Sequence, residues 1–365
     1  MVWYRRRFPA PARAAGEHVL VHLGAVDFEA TVWVDGQEVG RHRGGHTSFT
    51  FDVTWALAAD VADHELVVRA VDQRRADQLR GKQTASFPYM IHYTPTSGIW
   101  QPVRLEVTGP RWIGELHVVA DADGSLSVTA DLGGSASTVP TPRLRVTIDV
   151  DGTPAVVEGE GAIGGRVAGV RPWAPEDPAL YPLTAALLSP DGDPLDTVHG
   201  HVGFRTVQVE GGEWLLNGAP LRQRLLLDQG YWPSTLLAVP SDEAILTDLR
   251  FVKEAGFDGV RKHQKVEDPR FLWHADRLGV LVWEELPSPF GLARVEGPLA
   301  DDAVAEWTEA VVRDRSHPCI VAWVPFNECW GVQGVHRRVA HQETVRRFVA
   351  LTRRLDPSRP GVANS

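Results

Sequence analysis

The spacing of apolar residues changes along this chain. Up to about Thr108, apolar and polar residues alternate in short runs such as residues 19–23, 30–34 and 65–71, which is typical of strands with one buried face. Asp35-Gly36 follows one of these runs, and glycine supplies the positive φ that a tight hairpin turn requires. No stretch of this region keeps a helical period, so we predict an antiparallel β-sandwich.

A second region opens at Pro110 and continues to about Thr206 with the same alternation but with more glycine, threonine and aspartate. About 100 residues with turns at short intervals fit an immunoglobulin-like sandwich. The glycine- and serine-rich residues 133–137 are predicted to form a flexible loop between two strands. The clearest predicted strands of this region are residues 115–119, 125–129 and 144–150.

Apolar strands alternate with amphipathic helices after Phe204-Arg205. Ser241 and Asp268-Pro269 are predicted helix starts because both supply an N-terminal cap, and Gly256 and Gly279 are the predicted ends. Two further helices are expected at residues 301–315 and 334–355. Strands are expected at residues 221–227, 257–261, 280–284 and 320–326, with a fifth at 361–364.

Repeated strand–helix units predict a parallel sheet, either in a doubly wound fold or in a (β/α)8 barrel. No Gly-x-Gly-x-x-Gly turn follows the first strand, which removes the main support for a dinucleotide site. We therefore expect the barrel. The chain holds about four and a half units, whereas eight units close a barrel.

Composition narrows the classes of partner. The chain has 365 residues, 43% of them hydrophobic, and a net charge of -10, which disfavours binding to nucleic acid or to an anionic membrane surface. No apolar run approaches the roughly 20 residues that span a bilayer. Two cysteines and the lack of a secretory signal predict a cytoplasmic protein if Met1 is the true start. Thirteen tryptophans suit either a packed core or stacking against sugar rings.

Polar residues follow each of the first four strands of the third region, where barrel enzymes carry their chemistry. One such residue fits a solvated loop or a helix cap equally well, but four successive strands share the pattern. Because adjacent strand residues face opposite sides, only one of Glu284 and Glu285 can point to a shared site. The strand ends carry Asp228-Gln229, residues 261–264 with Arg261 and His263, Glu284-Glu285, and Asn327-Glu328.

Glu328 is the candidate general acid among these residues. Trp323, Phe326 and Trp330 flank it in the sequence, and apolar neighbours favour the protonated form of a carboxyl group. Asn327 offers both a carbonyl oxygen and an amide nitrogen to a sugar hydroxyl. The alternative is that Asn327-Glu328 only caps the next segment.

Other catalytic classes find less support. His263, His274, His317 and His336 show no His-Glu-x-x-His spacing, so no zinc site is expected. Cys329 lacks a local histidine partner and is expected to pack rather than to act as a nucleophile. The sequence has neither a Gly-x-Ser-x-Gly elbow nor a phosphate-binding loop. We expect no metal and no cofactor.

The segment His317-Pro318-Cys319-Ile320 is followed by Asn327-Glu328. With this motif as its most specific match, the chain resembles glycoside hydrolase family 2, which contains β-galactosidases, β-glucuronidases and β-mannosidases. The further matches, which spread over nearly the whole chain, are Tyr4-Arg5-Arg6-Arg7-Phe8, Gly24-Ala25-Val26-Asp27, Trp33-Val34-Asp35-Gly36, Ser97-Gly98-Ile99-Trp100-Gln101-Pro102-Val103, Gly203-Phe204-Arg205 and Leu216-Asn217-Gly218-Ala219-Pro220-Leu221.

The resemblance implies a multidomain fold, β followed by α/β. It comprises a jelly-roll sugar-binding domain over residues 1–108, an immunoglobulin-like β-sandwich over residues 109–206, and a partial (β/α)8 TIM barrel over residues 207–365. It also implies that Glu328 is the catalytic acid/base and that Asn327 contacts the sugar 2-hydroxyl. The other expected substrate-binding residues are Arg261, Glu285, Asp228, His263 and Trp330.

Three departures limit what the resemblance implies. The family often carries Arg-x-Ser-His-Tyr-Pro after the second strand, but residues 261–266 read Arg-Lys-His-Gln-Lys-Val, which leaves the role of His263 and the identity of the sugar undecided. The family's nucleophile, a later glutamate, is expected beyond Ser365. The jelly-roll begins without the family's leading segment, so truncation is expected at both ends.

The expected function is that of a retaining exo-β-glycosidase acting on terminal β-linked sugars, with this chain inactive for want of its nucleophile. One alternative is a carbohydrate-binding or remnant protein that uses the β domains. Another is a barrel hydrolase that uses one carboxylate and a metal. The expected partner is a carbohydrate, with no nucleic acid and no membrane, and self-association into a homo-oligomer is left open.

Overall fold

The computed structural model describes residues 1–58, 61–73, 77–85, 87–135 and 142–365. Within these ranges the chain forms 23 strands, four α-helices and one short 3-10 helix at Thr54–Ala56. All four α-helices follow the β-rich part of the chain. No helix in the described ranges has the length and apolarity needed to cross a membrane.

The first unit consists of antiparallel strands. They are β1 (Val2–Pro9), β2 (His18–Leu23), β3 (Val26–Asp27), β4 (Glu29–Val34), β5 (Gln37–Arg43), β6 (Phe49–Asp52), β7 (Asp63–Val71), β8 (Gly98–Ile99) and β9 (Val103–Thr108). One sheet has the order β1-β7-β4-β5, another has the order β6-β2-β9, and β3 pairs with β8. Alternate side chains such as Val21, Val32 and Val68 form the core, as the sequence alternation predicts.

The Asp35-Gly36 turn joins β4 to β5, and the hairpin prediction is confirmed. Asp35 has a φ of 48° and Gly36 a φ of 80°, the positive values that a type I′ turn requires. The Asp35 carboxylate supports this backbone because it accepts hydrogen bonds from the N–H groups of Glu65 at 2.8 Å and Ala58 at 3.1 Å.

The second unit is a β-sandwich. Its strands are β10 (Arg111–Ala120), β11 (Ser125–Gly134), β12 (Arg143–Val150), β13 (Thr153–Gly159), β14 (Ile163–Arg166), β15 (Tyr181–Leu188) and β16 (Pro194–Val202). The two sheets have the orders β10-β11-β14 and β13-β12-β15-β16. They enclose a core that includes Val128, Val146 and Ala185. The three strands predicted in this region are confirmed.

The loop that the glycine content predicts at residues 133–137 is only partly loop in the structure. Gly133 and Gly134 belong to β11 and pair with Trp112 and Arg111. A Cβ atom on Gly133 would lie 2.0 Å from the Trp112 indole, so this glycine permits a close approach between strands. The loop prediction is wrong at these two residues, and residues 136 and 137 lie outside the described ranges.

The last part of the chain contains a small antiparallel sheet and then a parallel sheet. The antiparallel sheet consists of β17 (Val207–Glu210), β18 (Glu213–Leu216) and β19 (Ala219–Pro220). The parallel strands are β20 (Leu225–Asp228), β21 (Gly259–Lys262), β22 (Leu281–Glu285) and β23 (Ile320–Val324). They pair in sequential order. The four predicted strands are confirmed, although β20 begins later than residue 221.

The predicted fifth strand at residues 361–364 is wrong. Gly361 makes an isolated parallel bridge with Trp323, and the Val362 N–H donates to the Trp323 carbonyl oxygen at 2.8 Å. To continue the parallel pairing, the next N–H group along the chain would have to come from residue 325. This residue is Pro325, which has no N–H group. The pairing with β23 therefore stops after one bridge.

The helices are α1 (Asp242–Glu254), α2 (Pro269–Leu278), α3 (Pro298–Asp314) and α4 (Val339–Leu355). Both predicted caps are confirmed: the Ser241 Oγ accepts from the Ala244 N–H at 3.2 Å, and an Asp268 Oδ1 accepts from the Arg270 N–H at 3.0 Å. Gly279 ends α2 with a φ of 66°. Helix α3 begins before residue 301, at a first-turn proline, and α4 begins after residue 334 because turns occupy residues 333–337.

Arg205 joins the β-sandwich to the parallel sheet. Its Nε donates to the Pro318 carbonyl oxygen at 3.0 Å, and its Nη2 donates to the Ile320 carbonyl oxygen at 3.1 Å. Its backbone N–H donates to the Ala120 carbonyl oxygen at 2.9 Å. Burial lowers the pKa of the Arg205 guanidinium to about 9. Arg205 thus connects the end of β10, through its backbone, to the start of β23, through its side chain.

Arg205→Ala is expected to lower the free energy of unfolding by about 2 kcal/mol. The Pro318 carbonyl oxygen would lose the Arg205 donor, whereas the Ile320 carbonyl oxygen would keep a hydrogen bond from Arg359 Nη1 at 2.9 Å. Denaturant unfolding of the 365-residue chain measures the loss. Arg222→Ala is the control, since Arg222 is exposed and its removal should change stability by less than about 0.5 kcal/mol. Equal losses in the two variants would contradict the role assigned to Arg205.

Candidate active site

Three polar side chains meet where β21, β22 and β23 end. Nε and Nη2 of Arg261 both donate to Glu285 Oε2, at 2.8 and 2.5 Å. The same Nη2 also donates to Asn327 Oδ1 at 2.6 Å. Glu285 is fully buried, and a buried carboxylate is costly unless it is paired. The structure therefore brings together three of the residues predicted for the site.

His263 lies at the other oxygen of Glu285. This oxygen, Oε1, accepts from the Gln264 N–H at 2.9 Å and lies 3.2 Å from His263 Nδ1. Glu284 points elsewhere, because its Oε1 accepts from the Glu267 N–H at 3.3 Å. Burial raises the pKa of Glu284 well above its usual value. The prediction that only one of the two adjacent glutamates faces the shared site is confirmed.

Glu328 lies on a left-handed turn after β23. Glu328 has a φ of 48° and Cys329 a φ of 60°, which is unfavourable for residues with side chains and is typical of functional sites. The Glu328 N–H donates to the Ser365 carbonyl oxygen, and the Cys329 N–H donates to Asn364 Oδ1, both at 2.8 Å. The turn leaves the Glu328 side chain exposed.

One of the three aromatic residues predicted beside Glu328 lies there. Trp330 Nε1 donates to Glu328 Oε2 at 3.4 Å. Trp323 instead donates to Asp356 Oδ2 at 2.9 Å, and the Phe326 ring packs on Phe348 with centroids 5.0 Å apart. Trp323 and Phe326 are buried, so proximity in sequence overestimated the apolar surroundings of Glu328.

Asp228 belongs to a separate ionic cluster. Lys262 Nζ lies 2.8 Å from Asp228 Oδ2 and 2.5 Å from Glu267 Oε2. Lys265 Nζ lies 2.9 Å from Glu267 Oε1. Burial opposes ionisation of Glu267, but the charges of the two lysines outweigh it and lower the pKa of Glu267 to about 2. Asp228 therefore pairs with Lys262 rather than with Arg261.

Lys82, from the first unit, approaches the same strand ends. A Cβ atom on the preceding Gly81 would lie 2.1 Å from the Gln264 carbonyl oxygen, so glycine permits a close approach between the two units. Burial lowers the pKa of Lys82, and the charges of Glu328 and Glu285 oppose that shift. The sequence did not indicate Lys82, because it lies in a polar segment without strand or helix periodicity.

Aromatic side chains of the first unit also lie over the strand ends. The Tyr93 hydroxyl donates to Gln229 Oε1 at 2.6 Å, and the Tyr93 ring stacks on Tyr231 with centroids 4.1 Å apart. His92 contacts the Trp330 ring edge-on at 6.4 Å. The candidate site is thus built from two units of the chain.

The site combines an exposed carboxyl group with a buried amide. Asn327 is 1% exposed, its Oδ1 is held by Arg261, and its Nδ2 has no partner within the part of the chain that the structure describes. A free amide donor beside Glu328 suits a ligand hydroxyl group. The nearby cations of Arg261 and Lys82 disfavour a metal ion here.

Two family profiles match this chain. The profile described as glycosyl hydrolase 2 galactose-binding domain-like matches residues 1–102, and the profile of glycosyl hydrolases family 2 matches residues 113–205. The chain belongs to glycoside hydrolase family 2. The family resemblance seen in the sequence is confirmed.

Two curated relatives extend the match to nearly the whole chain. A β-galactosidase of Thermoanaerobacter pseudethanolicus is 27% identical over 372 residues, which cover 98% of this chain and 48% of the relative. A β-glucuronidase of Paenibacillus borealis is 27% identical over 396 residues, which cover 98% of this chain and 63% of the relative. The chain therefore spans about half to nearly two thirds of the length of these relatives.

Solved family 2 structures share the fold. The β-glucuronidase of Bacteroides uniformis superposes with a TM-score of 0.83 at 23% identity, covering 98% of this chain and 46% of that protein. The β-D-glucuronidase of Dictyoglomus thermophilum superposes with a TM-score of 0.81 at 22% identity, covering 98% of this chain and 64% of that protein.

Glu267→Gln is expected to make the free energy of unfolding depend less on pH in the acidic range. The pKa of Glu267 is about 2 in the folded chain and about 4.3 in an unfolded one. Its ionised form therefore stabilises the fold above about pH 4.3, and this contribution is lost as the pH falls toward 2. Urea unfolding at pH 7, 4 and 3 should show a smaller loss on acidification in the variant than in the wild type.

The control for this experiment is Glu254→Gln, at an exposed position of α1. It should lose stability on acidification as the wild type does. An unchanged pH dependence in Glu267→Gln would contradict the ion pairs assigned to Glu267.

Proposed function

We propose that this chain is part of a retaining exo-β-glycosidase that hydrolyses terminal β-linked sugars. The observation that carries the proposal is the bonded group of Arg261, Glu285 and Asn327 beside the exposed Glu328. The names of the relatives, a β-galactosidase and a β-glucuronidase, support the same reaction class. The partner of the protein is then a carbohydrate.

We divide the chain into a jelly-roll sugar-binding domain at residues 1–108, an immunoglobulin-like domain at residues 109–206, and the first half of a (β/α)8 barrel at residues 207–365. The sequential order of the parallel strands β20 to β23 supports the barrel, because a doubly wound sheet reverses its strand order part-way. The greater length of the relatives is consistent with a further segment that closes the barrel.

Glu328 acts as the general acid in the first step of the proposed reaction. Its proton passes to the glycosidic oxygen as the bond to the anomeric carbon breaks. A second carboxylate, about 5 Å away, bonds to that carbon and forms a glycosyl-enzyme. In the second step Glu328 takes a proton from water, and the water oxygen displaces the second carboxylate with net retention. We expect that carboxylate from a segment after residue 365.

Asn327 binds the sugar in this proposal. Its Nδ2 donates to the 2-hydroxyl, and Arg261 fixes the orientation of the amide through Oδ1. Such a hydrogen bond favours catalysis when it strengthens as positive charge develops at the anomeric carbon. Glu285 and His263 hold Arg261 in place, and Trp330 offers its ring to the sugar. Asp228 acts more remotely, because its partner is Lys262.

In the full-length protein, Glu328→Gln is expected to lower the turnover of aryl β-glycosides by about 10²–10⁴-fold, the usual contribution of general acid–base catalysis. Kinetics on a panel of nitrophenyl β-glycosides measures the loss. Azide should restore turnover in the variant and yield a β-glycosyl azide, because this anion attacks the glycosyl-enzyme without a general base.

Glu343→Gln is the control for this variant, since Glu343 is exposed on α4 and should leave turnover unchanged. Unaltered turnover in Glu328→Gln would show that the acid/base assignment is wrong. If the full-length wild type cleaved no β-glycoside, the reaction class itself would be wrong, and a carbohydrate-binding role would take its place.

The 365-residue chain by itself is expected to show no turnover, because the proposed nucleophile lies outside it. The same nitrophenyl panel checks this at high protein concentration. Cleavage by the 365-residue chain that survives Glu343→Gln but not Glu328→Gln would contradict this prediction, because a nucleophile would then lie within these 365 residues.

A further inference from the structure

Three side chains of the kinds that ligate metal ions meet near the start of β23, at the other end of this strand from Asn327 and Glu328. Among the described residues, His201, Asp276 and His317 form one group whose ligand atoms all lie within 4.8 Å of one another. His201 belongs to β16, Asp276 to α2, and His317 to the turn before β23. The proposed mechanism uses none of the three.

Hydrogen bonds hold the Asp276 carboxylate in one orientation. Its Oδ2 lies 2.8 Å from His201 Nε2 and 2.6 Å from His317 Nδ1. Its Oδ1 accepts from the Cys319 N–H at 2.9 Å, and its carbonyl oxygen accepts from Trp173 Nε1 at 2.8 Å. The Asp276 side chain is fully buried. Hydrogen bonds to the atoms behind a ligand fix its orientation, as they do in known metal sites.

The two histidines open onto a groove. His201 and His317 line a cavity of about 660 Å³ between the β-sandwich and the parallel sheet, together with His199, Trp273 and Arg277. Their side chains are 18% and 19% exposed. An ion can therefore reach the cluster from solvent, and a water molecule can occupy the groove side.

We propose that His201, Asp276 and His317 bind a divalent transition-metal ion, with Zn²⁺ as the best fit. Two imidazoles and one carboxylate are ligands that Zn²⁺ prefers, and a water from the groove completes four-coordination. Ligand atoms around Zn²⁺ lie about 3.3 Å apart. The pairs at 2.8 and 2.6 Å must therefore separate by about 0.5 and about 0.7 Å, respectively, when the ion replaces the shared protons.

The ion has a structural role in this proposal. His317 lies before β23, whereas Asn327 and Glu328 follow it, so the cluster is at the opposite end of the sheet from the chemistry. In barrel folds, the ends where the strands begin contribute stability rather than catalysis. The metal would join β16 of the sandwich to α2 of the α/β part, in addition to the contacts of Arg205.

The sequence did not indicate this site. Metal-binding motifs that can be read from a sequence have their ligands close together on one element, whereas His201 lies 75 residues and His317 lies 41 residues from Asp276. Three elements must pack before the three side chains meet, so no local motif marks them.

The test uses the 365-residue chain, stripped of metal with a chelator and then titrated with Zn²⁺ or Co²⁺ at pH 7.5. We expect one equivalent of Zn²⁺ to bind and to raise the midpoint of thermal unfolding, while Mg²⁺ at the same concentration does not. Co²⁺ should give the visible absorption of a tetrahedral site. His201→Gln should weaken Zn²⁺ binding at least tenfold and abolish that absorption.

His199→Gln is the matched control. His199 is exposed in the same groove and bonds to Thr184, so its loss should leave Zn²⁺ binding unchanged. His201 is partly exposed on a strand, and the apo variant should fold, as far-ultraviolet circular dichroism can check. Equal Zn²⁺ affinity in His201→Gln and the wild type, or no Zn²⁺ binding by the wild type, would overturn the proposal.

Discussion

Parallel pairing of β20 to β23 brings the carboxyl ends of four strands to one edge of a sheet, and the candidate site depends on this constraint. The strands are largely buried, so polar groups at their ends enter surroundings where an unpaired charge is costly. Arg261 pairs with the buried Glu285 carboxylate, and the same guanidinium orients the Asn327 amide. The exposed Glu328 follows directly, on a turn that backbone hydrogen bonds and the Asn364 side chain hold in place.

The two ends of the parallel sheet carry different groups of residues. Where the strands end, ionic and amide groups gather beside Glu328. Where β23 begins, Arg205 and the group of His201, Asp276 and His317 connect the β-sandwich to the parallel sheet. The candidate active site and the contacts with the β-sandwich thus lie at opposite ends of the same buried strand.

The first unit contributes directly to the site. Gly81 allows its backbone to lie against Gln264, which carries Lys82 to the carboxylates of Glu285 and Glu328. Burial disfavours the Lys82 cation and the carboxylates favour it, so the positions of the two units determine the charge balance of the site. The first unit is therefore part of the candidate site and not only a separate domain attached to it.

The sequence by itself determined the features that depend on near neighbours. These are the Asp35-Gly36 hairpin, the caps at Ser241 and Asp268, the alternation of strands and helices, and the contiguous Asn327-Glu328 motif. Only the tertiary structure decided that Asp228 pairs with Lys262, that Trp323 and Phe326 point away from Glu328, and that Lys82 and the His201 group have partners far along the chain. The physical reason is that a turn or cap is stabilised by atoms a few residues apart, whereas the partner of a buried charge depends on how distant elements pack.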